Sequence, residues 1–257
     1  MNTPLDVKLM RWSANLMLVV FAGLAVSALV HWAARHPAFS IAGISVLGQT
    51  SHNNAVTFKA NVGPHMDGNF LALDLSAARA AFEAVPWVRK AIVQREFPNR
   101  IRVTLQEHQA VAYWGADKET KLLNSFGEIF EANVGEVEQD NLPRLDGPSG
   151  ESALVLSMFH VLQPWFESLG LYVDEFELSA RGGWQVRLNT GAHVALGGGT
   201  ESEVLERTRL FVTTLAQVAS RYGRTAGALE FADLRHRQGY ALRLRGVSTL
   251  AFESKTK

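Results

Sequence analysis

Residues 12–34 contain no Asp, Glu, Lys or Arg, and Leu16-Met17-Leu18-Val19-Val20-Phe21 offers no polar face. A helix over this stretch, at about 1.5 Å per residue, reaches roughly 34 Å and crosses a hydrocarbon core of about 30 Å. Trp12 and Trp32 mark its two ends, where amphipathic rings favour the membrane–water interface, and Leu16 and Phe21 lie between them. Soluble buried helices rarely lack charge over such a length, so the pattern predicts a membrane anchor. Val26-Ser27-Ala28 also suits a signal-peptide cleavage site. The apolar run nevertheless continues through Leu29 and Val30 to Trp32, which favours an uncleaved segment. Lys8 and Arg11 precede it, whereas after it Arg35 is the only Lys or Arg before Lys59. This asymmetry predicts a cytoplasmic amino end and an external remainder.

After the anchor the pattern shortens. Residues 39–48 are β-branched and glycine-bounded, as a strand requires. Asn53-Asn54 suits the cap of a short helix through Val62, stopped by Gly63-Pro64. The alanine-rich stretch 76–84 reads as a second helix ended by Pro86. Strands are predicted at 88–97 and 101–107. Ile101, Val103 and Leu105 alternate with Arg102, Thr104 and Gln106, the mark of one buried and one wet face. The order strand, helix, helix, strand, strand is a complete small core, with two helices on one face of a three-stranded sheet.

Beyond residue 110 strands dominate. Residues 122–130 predict two strands around a turn containing Gly127. Leu142-Pro143-Arg144-Leu145 reads as an edge piece, since proline cannot donate to a central ladder, and 146–150 as a loop. A helix is expected at 152–168, burying Leu154, Met158, Phe159, Leu162 and Phe166, with Pro164 kinking or shortening it. Strands follow at 173–179, 184–188 and 193–196. A long helix at 201–222 then carries Val204, Leu205, Phe211, Val212, Leu215, Val218, Ala219 and Tyr222 at helical period. Two last strands are expected at 229–234 and 240–244.

Several of these pieces form a family pattern. Val85-Pro86-Trp87-Val88-Arg89-Lys90-Ala91, then Phe97-Pro98-Asn99-Arg100-Ile101-Arg102-Val103, then Glu107-His108-Gln109-Ala110-Val111-Ala112-Tyr113-Trp114, follow one membrane helix in this order. This resembles the POTRA domain of the FtsQ/DivIB family of bacterial cell-division proteins, and the later strand–helix order extends the resemblance over nearly the whole chain. The implied fold is α+β: one amino-terminal transmembrane helix, a POTRA domain (β-α-α-β-β), then a mostly antiparallel β domain with two helices. The expected boundaries are 1–11 cytoplasmic tail, 12–34 membrane helix, 35–108 POTRA domain, 109–246 β domain and 247–257 flexible tail. POTRA domains also precede outer-membrane barrels, but too little chain remains here for a sixteen-stranded one.

Charge and candidate chemistry narrow the function. Lys+Arg and Asp+Glu are 25 each, and nucleic-acid binding needs a basic excess. The chain has no cysteine, which excludes disulfides and thiolate chemistry. Gly197-Gly198-Gly199 invites a phosphate-loop reading, yet no Lys-Ser/Thr follows, and Glu201, Glu203 and Glu206 would repel an anion. Thr200 and Glu203 have capping-box spacing instead. Ser254 and Lys257 have Ser-x-x-Lys spacing but lie in a polar tail without the partner motifs such enzymes use. The eight histidines show no metal spacing, and His160 reads as a partly buried packing residue. Glu136, Glu138 and Asp140 read as a solvated loop. No catalytic, cofactor or metal site is expected.

The carboxyl end is richer. Arg221, Arg224, Arg235, Arg237, Arg243 and Arg245 cluster there, opposed by Glu230 and Asp233. In the last strand Tyr240, Leu242 and Leu244 share one face and Arg243 and Arg245 the other. An edge strand beside arginines suits strand addition by an acidic partner, whereas charged edges also serve to prevent aggregation. The resemblance implies the first. In the family the last strands bind FtsB, itself paired with FtsL, and an arginine of a Leu-Arg-Tyr segment meets an acidic partner residue.

Here Leu234-Arg235-His236 keeps the arginine and replaces the tyrosine. The implied contact set is Arg235, His236, Arg237, Gln238, Gly239, Tyr240, Leu242 and Arg243, with Arg181 a weaker match to a second arginine. The implied function is a non-enzymatic bitopic inner-membrane scaffold at the division septum. It would help control septal peptidoglycan synthesis through the FtsB/FtsL complex, with FtsW/FtsI and FtsN as further partners. A membrane-anchored periplasmic wall enzyme and a POTRA-type assembly factor are the rival readings.

Overall fold

The computed structural model describes residues 5–36, 39–48, 50–53, 55–66, 69–115, 121–137, 141–236 and 239–248. The chain divides into two compact units, Met1–Glu107 and His108–Lys257.

The first unit opens with α1 (Leu5–Arg35). Within it the 24 residues Leu9–Trp32 are long and apolar enough to cross a membrane, and none of them is buried in the protein. The predicted strand that follows is shorter than its β-branched sequence: only β1 (Gly43–Gly48) joins the sheet, and Ser40 makes a single bridge to Asn69. Next come α2 (Ala55–Val62), a 3₁₀ turn at Gly63–His65, α3 (Leu75–Glu83), β2 (Val88–Glu96) and β3 (Arg100–Glu107). α3 starts where it does because the Asp74 carboxylate accepts the N–H groups of Ser76 and Ala77. Those bonds, with that from the Ser76 hydroxyl the largest influence, hold its pKa below the usual carboxylate value.

β3 is central, parallel to β1 and antiparallel to β2. Ile101, Val103 and Leu105 are buried against Phe58, Val62, Ala78 and Phe82 of the two helices, and Arg102 and Thr104 face out, as the alternation required.

Glu107 continues the buried parity of β3 and is itself buried. Its carboxylate accepts the Ser51 N–H at 2.9 Å, the His52 N–H at 3.3 Å and the Asn53 Nδ2 at 3.2 Å, with His52 Nδ1 at 3.2 Å. The Asn53 Nδ2 group bridges Glu107 to the Pro86 carbonyl, which it meets at 2.9 Å. Asn54 lies outside the described residues. The His52 ring stacks on buried Trp87 at 3.9 Å.

The second unit contains β4 (Ala110–Trp114), β5 (Lys121–Asn124), β6 (Ile129–Glu131), β7 (Arg144–Asp146), α4 (Ser152–Glu167), β8 (Val173–Leu178), β9 (Trp184–Leu188), β10 (His193–Gly197), α5 (Glu201–Arg221), β11 (Leu229–Asp233) and β12 (Ala241–Leu244). Its nine-stranded sheet runs β12-β11-β10-β9-β8-β7-β4-β5-β6. Pairing is mostly antiparallel, with parallel pairs at β10/β11, β4/β7 and β7/β8.

Three expectations are revised here in whole or in part. The proline-bearing edge piece is a central strand, because β7 begins just after Pro143. The proline itself serves only as an acceptor, taking the Tyr113 N–H at 2.9 Å, and this needs no donor of its own. α4 is not cut short by Pro164 and continues to Glu167. Its buried stripe is Val155, Leu156, Met158, Phe159, Leu162 and Phe166, which turns Leu154 (39 % exposed) and His160 outward.

α5 carries the expected capping box, and the Glu203 carboxylate, held by the Thr200 N–H, has a lowered pKa. Val204, Phe211, Val212, Leu215 and Ala219 face the core, while Tyr222, just past the helix end, is exposed. α4 and α5 pack into one core with the inward residues of the sheet, among them Val186, Leu188, Val194 and Leu196.

Candidate functional site: the terminal sheet edge

β12 is one end of the nine-stranded sheet, so one side of its backbone has no neighbouring strand among the described residues. It pairs with β11 through Asp233↔Ala241, Ala232↔Leu242 and Phe231↔Arg243. The Arg245 N–H donates to the Ala228 carbonyl at 2.8 Å, and the Leu234 N–H to Ala195 on the β10 side. Backbone groups alternate along a strand, so Ala241 and Arg243 bond β11, and Leu242 and Leu244 turn theirs to the open side.

Side chains sort by the same alternation. Leu244 is buried and Leu242 half-buried on the helix side, while Arg243 is exposed on the other face, 3.9 Å from Glu230. Arg245 is committed internally: its Nη2 donates to the Thr190 carbonyl at 2.6 Å. Tyr240 is also used within the chain. Its ring meets Phe211 edge-on at 5.0 Å, and its hydroxyl lies 2.7 Å from Thr214 Oγ1, pinning the start of β12 to α5.

Arg235 sits where β11 ends. Its Nε and Nη2 clasp the Asp233 carboxylate at 2.8 and 2.7 Å, and its own N–H adds a third bond at 3.0 Å. Bonds from Arg235 pull the Asp233 pKa down to about 2, and Asp233 raises that of the guanidinium. The Arg235 side chain is nevertheless 65 % exposed. The fork thus holds the guanidinium in one orientation while presenting it to solvent. His236 is exposed and Gly239 half-buried. Arg237 and Gln238 lie outside the described residues, as do Glu138, Asp140, Ser254 and Lys257.

Arg181 is exposed in the β8–β9 turn, and the tertiary fold brings that turn to the same end of the sheet as Arg235. The link is the glycine turn after β10. A Cβ on Gly197 (φ +83) would meet Arg235 Cγ at 2.8 Å, and one on Gly198 would meet the Gly182 carbonyl at 2.9 Å. These glycines are there for close approach, and no phosphate role is needed to explain them. Arg207, which the periodicity of α5 marks only as an outward helix position, donates to the Gly198 carbonyl at 2.7 Å and braces the same turn. Nothing in the local sequence singles it out.

On the helix-free face, cross-strand neighbours form one row: Arg243, Phe231, His193, Arg187, Glu175 and Arg144. Glu175 pairs with Arg187 and lies 3.9 Å from Arg144. Among the described residues no group of three or more His, Asp and Glu side chains is placed to hold a metal ion.

Comparison with known proteins places this architecture. A family model described as "POTRA domain, FtsQ-type" matches residues 39–108, and one described as "Cell division protein FtsQ/DivIB, C-terminal" matches 112–235, ending at Arg235 before β12. The chain is 36 % identical over 253 residues to the cell division protein FtsQ of Burkholderia pseudomallei, covering 98 % of each chain. It is 35 % identical to that of Thiomonas arsenitoxydans, covering 95 % of this chain and 89 % of the relative. Against that of Bordetella pertussis the identity is also 35 %, with 93 % and 92 % covered. An apolar helix, an FtsQ-type POTRA unit and a sheet-rich unit in this order are the family's parts, and the chain belongs to the FtsQ/DivIB family of cell-division proteins.

Proposed function

We propose that this protein is a non-enzymatic, bitopic inner-membrane scaffold of the divisome that binds the FtsB/FtsL complex at β12 and through it helps control septal peptidoglycan synthesis. Residues 1–11 lie in the cytoplasm, 12–34 cross the membrane with Trp12, Leu16, Phe21 and Trp32 towards lipid, and the POTRA (35–108) and β (109–246) domains lie in the periplasm. Lys8 and Arg11 against a nearly bare outer flank support this orientation.

One observation carries the partner reading. Among the described residues β12 is an edge strand whose Leu242 and Leu244 backbone groups point outward, with Arg243 beside them and Arg235 and Arg181 at the same end of the sheet. A partner strand adds there through main-chain bonds, and its acidic side chains meet the arginines. The Asp233 fork favours this by pre-orienting Arg235, so less side-chain freedom is lost on binding.

The test is FtsB binding to the full chain in detergent. Arg235→Glu turns attraction into repulsion and should weaken binding by about tenfold or more. Arg209→Glu, an exposed α5 position with the same change in net charge, should leave affinity nearly unaltered. Leu242→Pro removes an outward N–H without touching an arginine and should also block addition. Normal FtsB binding by both Arg235→Glu and a folded Leu242→Pro variant would overturn the edge assignment.

A further inference from the structure

The first unit carries an aromatic residue that packs on its core by one edge and is otherwise exposed. Phe97, in the turn between β2 and β3, is 74 % exposed, whereas its neighbour Phe70 is fully buried. The two rings meet at 5.1 Å, so Phe97 is held in place by the core yet spends most of its surface on the outside. Arg100 beside it is also exposed, and Leu71, adjacent to Phe70, is 42 % exposed.

A short series of contacts ties this turn to the end of α1. Trp32, the aromatic residue closing the apolar span, meets the His36 ring at 4.6 Å. The Phe39 N–H returns to the His36 carbonyl at 3.0 Å, and the Phe70 N–H donates to the Phe39 carbonyl at 2.7 Å. The Ala42 N–H bonds the Asn99 carbonyl at 2.9 Å, fastening the turn to the chain just after the helix. Arg95 clamps the Phe70 and Leu73 carbonyls at 2.9 and 2.6 Å, so the Phe70 segment is fixed to β2.

His36 stands four residues beyond Trp32, about 6 Å along a helix axis. The headgroup zone is itself about 5–7 Å deep on each side of the hydrocarbon core. The described residues of the unit therefore begin inside that zone, the Phe39 N–H bonding back to His36.

We propose that the Phe97–Arg100 turn rests in the headgroup region of the bilayer that α1 crosses, with Phe97 as its lipid-contacting anchor. Segments that lie at the headgroup–acyl boundary place apolar aromatic rings such as Phe in it and keep basic residues on their polar side. The contact makes the first unit a membrane-apposed platform whose tilt is set at two points, the end of α1 and this turn. It rests on α1 crossing a membrane and is independent of the partner that β12 binds.

The chain has no cysteine, so a single introduced one reports one position. A nitroxide on Asn99→Cys, in the full chain in nanodiscs of mixed zwitterionic and anionic lipid, leaves Phe97 intact. Its collision rates with oxygen, which partitions into lipid, and with a water-soluble nickel chelate are measured. Thr104→Cys on the exposed face of β3 is the control. The oxygen-to-nickel ratio should be several-fold higher at 99 than at 104, and Phe97→Asp should abolish the excess while the Thr104→Cys spectrum stays unchanged. A ratio at 99 equal to that at 104 overturns the proposal. So does protection of the label at 99 from both reagents, which would mean that protein covers the turn.

Discussion

Both units end a sequence segment with a carboxylate near a sheet terminus, and they treat it in opposite ways. Glu107, closing β3, is buried, and its partners come from Ser51, His52 and Asn53, more than fifty residues earlier in the chain. Asp233, closing β11, is held by Arg235 only two residues away, and the pair lies at the surface. The first arrangement exists only when the fold is complete, so it reports on folding and fixes the start of the loop before α2. The second is local, contributes little to the fold, and sets the orientation of a charge that remains open to a partner. A polar group that joins distant segments is structural, whereas one satisfied by its neighbour is free to be functional.

The largest test of this contrast is the register of β3. Val103→Asp puts a carboxylate among the apolar side chains of the core and should destabilise the first unit by about 3–5 kcal/mol. Thr104→Asp on the wet face should cost under about 1 kcal/mol. Hydrogen exchange of the β2 and β3 amides measures both, and equal losses would refute the assigned faces.

Next in size is Glu107→Ala, which takes the acceptor from donors on three residues, the buried Asn53 among them, and should cost about 2–4 kcal/mol. Exchange protection should fall across the first unit, and a loss confined to residues 50–53 would mean that the carboxylate is only a local clasp.

A smaller loss, about 0.5–1.5 kcal/mol, is expected for Tyr240→Phe, which removes one hydroxyl bond and keeps the ring on Phe211. Faster exchange at β12, with the rest of the second unit unchanged, is the signature.

The smallest effect belongs to Asp233. Its folded pKa of about 2 lies below the usual aspartate value of about 3.9, so its contribution to stability is complete above about pH 4 and is lost as pH falls towards about 2. Asp233→Asn should remove this part of the acid dependence. An unaltered acid transition would show that the fork adds nothing.

How much was legible depended on the range of the determining interactions. The apolar span, the alternation of β3, the Thr200–Glu203 capping box and the periodic face of α5 were all readable, because each is set by residues within a turn or two. Leu154 and His160 were misplaced because a helical stripe that is one residue out of phase looks equally apolar along the sequence, and only packing chooses between phases. Pro143 misled for a related reason. Its missing donor forbids a ladder position, but its carbonyl can still bond a neighbour from just outside the strand.

For the candidate site, the sequence by itself determined the arginine-rich end, the expectation of a last strand and the position of Arg235, through local composition and the family motif. Only the tertiary structure decided that β12 is an edge, that Tyr240 and Arg245 are spent internally, and that Arg181 and Arg207 meet the Arg235 end through a glycine turn. Sheet order and close backbone approach join residues tens of positions apart. Their energies depend on which strands become neighbours, and no local pattern of hydrophobic and polar residues carries that information.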